Sequence, residues 1–598
     1  MTVYLGELLV TIPHPPFRAD ADMTAAPTLA EIDLPNPEPQ ADTPGLPRAA
    51  AGVAAAALAT AALAACGGGG GDAAGPDSGS AGSPDANPQT ATPPTDAQAA
   101  RFLAQAGFAA STADIASVKS LGYAGWLDQQ FAAPRTQSHY DWLSAKGYAV
   151  DAYRNSLAGV DATLWRKLIG SPDQLRQRVV LALSEIFVVS MNGLPVSWPG
   201  LATGAYVDML EANCFGSFRA LLEGVTLSPA MGVYLAMRGN RKEDPKTGRQ
   251  PDENYAREVM QLFTIGLSML NADGTPQLSN GKTTDTYALS QITELARVFT
   301  GWDFDTAAPN GADPSYMQRP MVNTASRFST GVKHVLDVTV PDSADGPAAM
   351  KIALDTLAAH PNVGPFIGRQ LIQRLVCSSP SPAYVQRIAA VFADNGKGQR
   401  GDLRAVIRAI LLDPEARQPS TAPGGGKLRE PIVRLVQWAR TVGMSSPGDL
   451  WAIGDTSNAA TRLGQSPLRS GSVFNFFRPG YVPPNSQLGA NAVTAPEFQL
   501  CNESTVAGYL NFMQGLIGNG IGDMKADYTA DLAVAADANA LVQRQALLMT
   551  GGGLADATIT AIATAVGSIK ADTDAGKLNR VKAAWLLLLA APDYQVQK

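Results

Sequence analysis

The chain has 598 residues and a formal net charge of −7 at pH 7. This length exceeds what a single small core serves, so we expect one large domain or two fused ones. Because no basic excess is present to neutralise phosphates, the composition argues against a nucleic acid partner.

The N-terminal segment predicts export and not a folded domain. Arg48 precedes an Ala-rich apolar run, residues 49–65, which is shorter than a membrane-spanning helix needs. The run ends in Leu63-Ala64-Ala65-Cys66-Gly67, which resembles a bacterial lipobox whose Cys66 would be lipidated and become the mature N-terminus. The alternative is an ordinary signal peptide in which Cys66 is incidental.

A Gly/Ser/Pro-rich stretch follows and is typical of a tether beyond an anchor. The predicted organisation is a disordered leader over 1–66, a linker over 67–97 and a helical domain over 98–598. We expect an exported protein, lipid-anchored in the periplasm, at the outer membrane or at the cell surface.

From residue 99 onward the apolar spacing is helical, which predicts an all-α domain with irregular loops and minor β structure. Ser111 begins a capping box, and Gly107 and Gly122 are stop signals. Irregular segments cover 303–345, with one strand-like run Val335–Val340, and 466–502. The predicted helices are 99–106, 112–121, 125–131, 172–186, 203–222, 227–237, 289–299, 348–359, 363–376, 383–393, one from 403, and 431–442.

The central prediction is a helix over 251–266, begun by an Asp252 N-cap and ended by Gly266. One face is apolar and should be buried, and it comprises Tyr255, Ala256, Val259, Leu262 and Phe263. The other face carries residues at i, i+3, i+4 and i+7, namely Asn254, Arg257, Glu258 and Gln261. This polar stripe is either one wall of a cleft or a solvated helix surface.

The segment Asp252–Glu258 resembles the Asn-Glu-Asn-Tyr-Ala-Arg-Glu signature of the bacterial domain of unknown function 1800 family. The resemblance covers about 98–598. It implies an exported, mainly helical protein without a settled activity, often encoded beside a sulfatase-like companion family. Supporting segments are Ser228–Met231, Phe299–Trp302, His360-Pro361, Asp413-Pro414 and Ser472–Tyr481.

One segment departs from the family pattern. Many members carry Trp-His-Asn-His-Phe where this chain reads Leu183-Ser184-Glu185-Ile186-Phe187. The two histidines could serve as metal ligands or proton carriers, and both are absent here.

The candidate catalytic groups are carboxylates. Glu258 is the first, because desolvation would raise its pKa while Arg257 would hold it ionised, a balance that suits a general acid or base. Asp303 is the second, with Asp305 as a substitute, beside an exposed aromatic platform at Trp302. Paired carboxylates near an exposed aromatic ring are typical of glycan hydrolysis, and also of ordinary loop ends.

The remaining candidates are binding residues. Arg238 and Asn240 lie in the charged loop before the central helix, and His334 lies in the first irregular segment. Asn475 and Arg478 lie within an aromatic run and form either a buried polar strut or an anion-binding pair.

No metal or cofactor is expected, since His139, His334 and His360 are far apart and no nucleotide or haem motif is found. Cys377 and Cys501 could form a disulfide, or the three cysteines that follow Cys66 in the sequence could all be unpaired.

Two function hypotheses follow. The first is a helical scaffold or binding protein for an envelope partner, such as the sulfatase-like companion, or for a polysaccharide. The alternative is a carboxylate-dependent hydrolase of an extracellular glycan or related polymer, with Glu258 and Asp303 as its acidic pair.

Overall fold

A computed structural model describes residues 93–306, 312–421 and 424–598. These residues belong to one compact unit. The predicted leader, most of the predicted linker, and Cys66 lie outside the described residues.

The described residues are predominantly α-helical, as predicted, with short 3₁₀ turns between helices. Twenty-three α-helices are present in these ranges. In chain order they are α1 Asp96–Ala106, α2 Thr112–Ala132, α3 His139–Ala145, α4 Val160–Gly170, α5 Gln174–Ser184, α6 Pro199–Asn213, α7 Phe218–Leu227, α8 Pro229–Tyr234, α9 Asn254–Gln261, α10 Leu289–Val298, α11 Gly346–Ala359, α12 Val363–Leu375, α13 Pro382–Ala393, α14 Leu403–Leu412, α15 Pro414–Arg417, α16 Pro431–Thr441, α17 Gln487–Ala490, α18 Glu503–Asn519, α19 Thr529–Leu532, α20 Ala538–Thr550, α21 Asp556–Gly567, α22 Asp574–Ala590 and α23 Pro592–Gln595.

The β structure is limited to antiparallel pairs of two or three residues per strand. Each sheet among the described residues has two strands. The pairs are β1 Leu278–Ser279 with β2 Lys282–Thr283, β3 Trp302–Asp303 with β4 Val322–Asn323, β5 Lys333–Val335 with β6 Val338–Val340, and β7 Lys427–Leu428 with β8 Val596–Gln597.

The buried apolar side chains form one continuous cluster that draws on helices from α1 to α22. Helix α1 packs against both α2 and α20, so the first and last parts of the described chain share this core. Helix α12 packs against α5, α13 and α14. Because α12 is surrounded in this way, polar groups on it must find partners inside the protein or face a cavity.

Several local predictions are confirmed. Ser111 forms a capping box with Asp114. Gly107 is the C-cap of α1, and Asp402 is the N-cap of α14. Gly122, with φ of 69°, interrupts α2 and divides it into two helical stretches. These signals act within one or two turns of chain, which explains why the sequence reveals them.

The central helix is shorter than predicted. Glu253, not Asp252, is the residue at the N-cap position, and Asp252 lies one residue earlier, where its carboxylate still accepts from the Asn254 amide at the start of the helix (2.8 Å). Helix α9 therefore begins at Asn254. At the other end α9 stops at Gln261, and the amides of Ile265 and Gly266 both donate to the Met260 carbonyl before the chain turns at Gly266, whose φ is 72°.

Two other segments differ from prediction. The helix predicted over 203–222 is two helices, since the chain breaks after Asn213 and Ser217 caps α7. The single strand predicted over Val335–Val340 is part of a hairpin, because Leu336 at its turn has φ of 52°. Cys214, Cys377 and Cys501 are all free, so the disulfide alternative for Cys377 and Cys501 is wrong.

Candidate functional site

A cleft of about 430 Å³ lies along α12, and we call it the α12 cleft. Four segments line it: the end of α5, the end of α9 with the loop that follows, α12, and part of the second irregular segment. Its lining residues are Glu185, Ile186, Gln261, Leu262, Gly266, Leu267, Ser268, Leu270, Gly274, Pro276, Pro365, Phe366, Arg369, Gln370, Gln373, Arg374, Val473, Phe474, Arg478, Pro479 and Gly480.

Helix α12 contributes a polar stripe to this cleft. Arg369, Gln370, Gln373 and Arg374 follow one another at i, i+1, i+4 and i+5, so they share one face of the helix. Phe366 continues the same face one turn earlier as an apolar wall. The cleft thus combines an apolar wall with a few polar groups, as small-molecule sites commonly do.

The floor of the cleft is a buried acid beside a buried guanidinium. Glu185 and Arg374 are 6% and 2% exposed. Arg374 Nε lies 3.5 Å from Glu185 Oε2, and Arg374 also donates to the Glu185 carbonyl (3.0 Å). Burial and the negative charge of Glu430 raise the pKa of Glu185 well above its ordinary value. The environment of Glu185 therefore favours the protonated form of this carboxyl group.

A fully buried ion network supports this floor from behind. Lys427 Nζ contacts Glu430 Oε1 (3.0 Å) and Glu497 Oε1 (2.6 Å). Gln465 donates to Glu430 (2.9 Å). Although burial opposes it, the charge of Lys427 lowers the pKa of Glu430 and keeps that carboxylate ionised.

Several buried polar atoms of the cleft lining have no hydrogen-bond partner among the described residues: the donors Gln370 Nε2 and Arg374 Nε, and the acceptors Glu185 Oε1, Glu185 Oε2 and Gln373 Oε1. Gln370 is 6% exposed, and its Nε2 makes no hydrogen bond among the described residues. A buried amide donor without a partner costs about 1–3 kcal/mol. By contrast, Gln373 Nε2 donates to the carbonyls of Ser378 (2.9 Å) and Pro479 (3.0 Å), and so holds the cleft's fourth segment in place.

Two arginines at the cleft have no carboxylate partner among the described residues. Burial alone lowers the pKa of Arg369, which is half-buried. Arg478 is exposed, and its guanidinium lies 4.6 Å from the centre of the Phe474 ring. Both side chains line the cleft, whose one acidic lining residue is Glu185. The lining therefore carries an excess of positive charge.

The loop after α9 forms one wall of the cleft. It is a short antiparallel meander, residues 267–286, which we call the flap. Asn362, fully buried, anchors it through hydrogen bonds to the carbonyls of Ile265 (2.8 Å) and Ser268 (2.9 Å) and from the Leu270 amide (2.9 Å). The flap carries two exposed leucines, Leu267 (57%) and Leu278 (65%). Of these two, only Leu267 lines the cleft.

The family model described as "Protein of unknown function (DUF1800)" matches residues 101–596. The chain belongs to this family. No curated protein and no solved structure matches it.

The departure from the family pattern falls in the α12 cleft of this DUF1800 protein. Glu185 and Ile186 occupy the segment where many members carry Asn and the second His, and both line the cleft. No group of three or more His, Cys, Asp or Glu within the described ranges could hold a metal ion. No α-helix in those ranges is long and apolar enough to cross a membrane.

The predicted polar stripe of the central helix runs from solvent to the interior. Asn254 is exposed, Arg257 pairs with Glu253 (3.2 Å) and is 40% exposed, and Gln261 reaches the α12 cleft. Glu258 is 7% exposed, and its Oε2 has no hydrogen-bond partner within the described residues. Burial, opposed by the charge of Arg257, raises the pKa of Glu258.

Asp303 is held by two arginines and is not a free carboxylate. Its oxygens accept from Arg238 Nε (2.9 Å) and Arg327 Nη1 (3.0 Å). Although burial opposes it, these contacts and the Phe304 amide lower the pKa of Asp303. Arg238 also lies 4.0 Å from the centre of the Phe304 ring. Its guanidinium is therefore engaged by both Asp303 and Phe304.

The prediction of an exposed aromatic platform at Trp302 is wrong. Trp302 is 3% exposed, because β3 pairs with β4 and turns the indole inward. It lines a second cavity of about 730 Å³, and its Nε1 has no partner in the described chain. Asp303 does not line this cavity.

The other predicted binding residues are dispersed. The Asn240 side chain bonds the Asp252 backbone twice and is a strut. His334 lies on β5, exposed, with its ring 3.4 Å from the Thr339 hydroxyl. Asn475, with φ of 60°, lines a separate small cavity with Glu185. Of the predicted set, Gln261 and Arg478 are the two that meet in the α12 cleft.

The polar stripe of α12 and Glu185 were not among the site residues predicted from the sequence. A signal was present: Arg-Gln-Leu-Ile-Gln-Arg, residues 369–374, places four polar side chains on one face of a helix whose other positions are apolar.

Proposed function

We propose that this DUF1800 protein is an exported, lipid-anchored cell-envelope protein that binds an envelope molecule in the α12 cleft. The sequence before residue 93 supports export and lipidation at Cys66. The observation that carries the binding role is the unpartnered Gln370 amide in an apolar-walled cleft. A ligand there would satisfy a buried donor that the fold leaves unpaired.

The occupant is part of this proposal. A component of an envelope partner, for which the sulfatase-like companion family is the candidate, or a fragment of an envelope polymer would enter past the flap. In this role the protein is a scaffold or binding protein, and the cleft supplies recognition.

The test compares two flap variants on the full chain purified from its native envelope. Leu267→Trp places an indole at the cleft mouth, while Leu278→Trp makes the same change on the flap away from the cleft. Both leucines are exposed, so both variants should fold. Mass spectrometry of co-purified molecules should find a ligand with the unaltered protein and Leu278→Trp, and lose it with Leu267→Trp. Equal recovery from both variants, or none from the unaltered protein, would reject the cleft as the binding site.

A second candidate is the hydrolase hypothesis, which Glu258 favours. Its raised pKa and unpartnered Oε2 suit a proton donor. Asp303, paired with two arginines, would serve as the ionised group. Glu258→Gln should abolish hydrolysis of an envelope glycan while leaving the melting temperature within a few degrees. Retained hydrolysis would exclude the role, and loss of folding would assign Glu258 to the scaffold.

A further inference from the structure

The polar groups of the α12 cleft are unevenly distributed between donors and acceptors. Arg369, Arg374 and Arg478 offer only N–H donors, and the free Nε2 of Gln370 adds another. The one acidic group in the lining, Glu185, already faces Arg374 (3.5 Å) and Glu430. Glu185 Oε1 and Oε2 and Gln373 Oε1 are acceptors without a partner, but the three arginines against one carboxyl group give the lining a positive charge, which favours an anion.

Two of these three arginines are uncommitted. The Arg374 guanidinium donates hydrogen bonds to the carbonyls of Gln370 (3.3 Å) and Glu185 (3.0 Å). Arg369 and Arg478 have no ion pair or side-chain hydrogen bond within the part of the chain that the structure describes, and their side chains come from different segments of the wall. A guanidinium presents its N–H groups as a planar fork that matches the two oxygens of a carboxylate, phosphate or sulfate.

Most of the remaining wall is apolar. Leu262, Leu270 and Pro276 come from the α9 end and the flap, and Phe366 and Val473 from α12 and the irregular segment. These side chains cannot hydrogen-bond a polar ligand body, and they favour burial of hydrocarbon. A small inorganic anion would leave most of a 430 Å³ cleft unfilled.

We propose that the α12 cleft binds an amphipathic oxyanion, with Arg369, Arg478 and the Gln370 amide holding the oxyanion and the apolar wall covering a hydrocarbon body. This inference rests on the proposed function, since it names the class of ligand for the same cleft. The shared chemistry is an acidic head on an apolar chain, which a membrane lipid or a soluble organic acid can supply.

Isothermal titration calorimetry on the full chain tests this with matched probes. Octanoate and octyl phosphate carry both parts, 1-octanol lacks the charge, and inorganic phosphate lacks the chain. We expect octanoate or octyl phosphate to bind at least about tenfold more tightly than 1-octanol and inorganic phosphate, since hydrogen bonds to a charged group contribute roughly a tenfold to hundredfold factor in affinity. Equal affinity for octanoate and 1-octanol, or no binding of either octyl anion, would overturn the proposal.

The variants Arg369→Gln and Arg478→Gln should each weaken octyl anion binding about tenfold or more and leave 1-octanol binding unchanged. Arg135→Gln is the matched control, because Arg135 is exposed and does not line the cleft. If Arg369→Gln lowers the melting temperature, Arg478→Gln decides alone, since its side chain is exposed. Unchanged octyl anion affinity in Arg478→Gln would overturn the assignment.

A vesicle-binding assay distinguishes a membrane lipid from a soluble organic acid as the source of the ligand. Binding to phosphatidylcholine vesicles that contain phosphatidylglycerol, lost in Arg478→Gln, would assign the ligand to a membrane lipid. Binding of octanoate alone would assign it to a soluble acid. A ligand recovered from the envelope that is uncharged would overturn the oxyanion while leaving the binding function intact.

Discussion

Arg374 Nε lies 3.5 Å from Glu185 Oε2, and both side chains are almost completely buried. This separation is long for a hydrogen bond between full charges, which is normally below 3 Å. Burial and the negative charge of Glu430 both raise the pKa of Glu185, and a protonated carboxyl group attracts the guanidinium less strongly than a carboxylate does. The floor of the cleft thus places a carboxyl group of raised pKa beside a buried cation.

Glu185→Gln tests this protonation state. Glutamine keeps the shape of the neutral acid and can donate to Glu430, so we expect the free energy of unfolding at pH 7 to change by no more than about 1 kcal/mol. The pKa of Glu185 is higher in the folded protein than in the unfolded chain. The unaltered protein should therefore lose stability as the pH rises from about 4.5 toward the folded-state pKa of Glu185. Urea unfolding from pH 5 to 8 should show a flatter profile for the variant. A loss of about 3–5 kcal/mol at pH 7 would show instead that Glu185 is an ionised partner.

Lys427→Met tests the network behind the floor. It leaves Glu430 and Glu497 buried without their shared cation, and we expect a loss of about 3–5 kcal/mol in the free energy of unfolding. Lys119→Met is the control, because its 2.7 Å ion pair with Asp96 is exposed and should contribute less than about 1 kcal/mol. Similar losses in the two variants, measured by urea denaturation, would contradict the assignment.

The lowered pKa of Glu211 predicts a loss of protein stability in acid. Although burial raises its pKa, contacts with His139 (3.5 Å) and Lys167 (2.5 Å) lower it to about 2. A folded pKa below the unfolded one gives stability that is present above about pH 4.5 and lost as pH falls toward 2. We expect Glu211→Gln to be less stable than the unaltered protein at pH 7 by roughly 3 kcal/mol, with the difference shrinking toward pH 2. A pH-independent difference in denaturation midpoints would refute this account.

Asn362→Ala tests the anchoring of the flap. The change removes the hydrogen bonds to Ile265, Ser268 and Leu270, so amide hydrogen exchange over 267–286 should accelerate while α12 stays protected. The expected loss of stability is about 1–3 kcal/mol. Asn271→Ala removes an exposed side-chain contact to Thr275 within the same flap and serves as the control. Unchanged exchange over the flap in Asn362→Ala would show that packing, not Asn362, holds it.

The family match and the predominantly helical fold followed from sequence patterns, but the candidate site followed only in part. Gln261 and Arg478 were identified and do meet in the α12 cleft. Trp302 was expected on the surface and is buried, since its position on β3 depends on pairing with β4, twenty residues away. A pairing at that separation leaves little trace in local composition.

The sequence by itself determined several helix ends, because the capping groups at Ser111 and Asp402 and the break at Gly122 act within a few residues. Only the tertiary structure decided which polar helix face looks into a cavity. A stripe such as Arg369–Arg374 has the same spacing on a surface helix as on a buried one. Its meaning depends on Glu185 and Arg478, which folding brings to the same cleft from segments some hundred residues or more away.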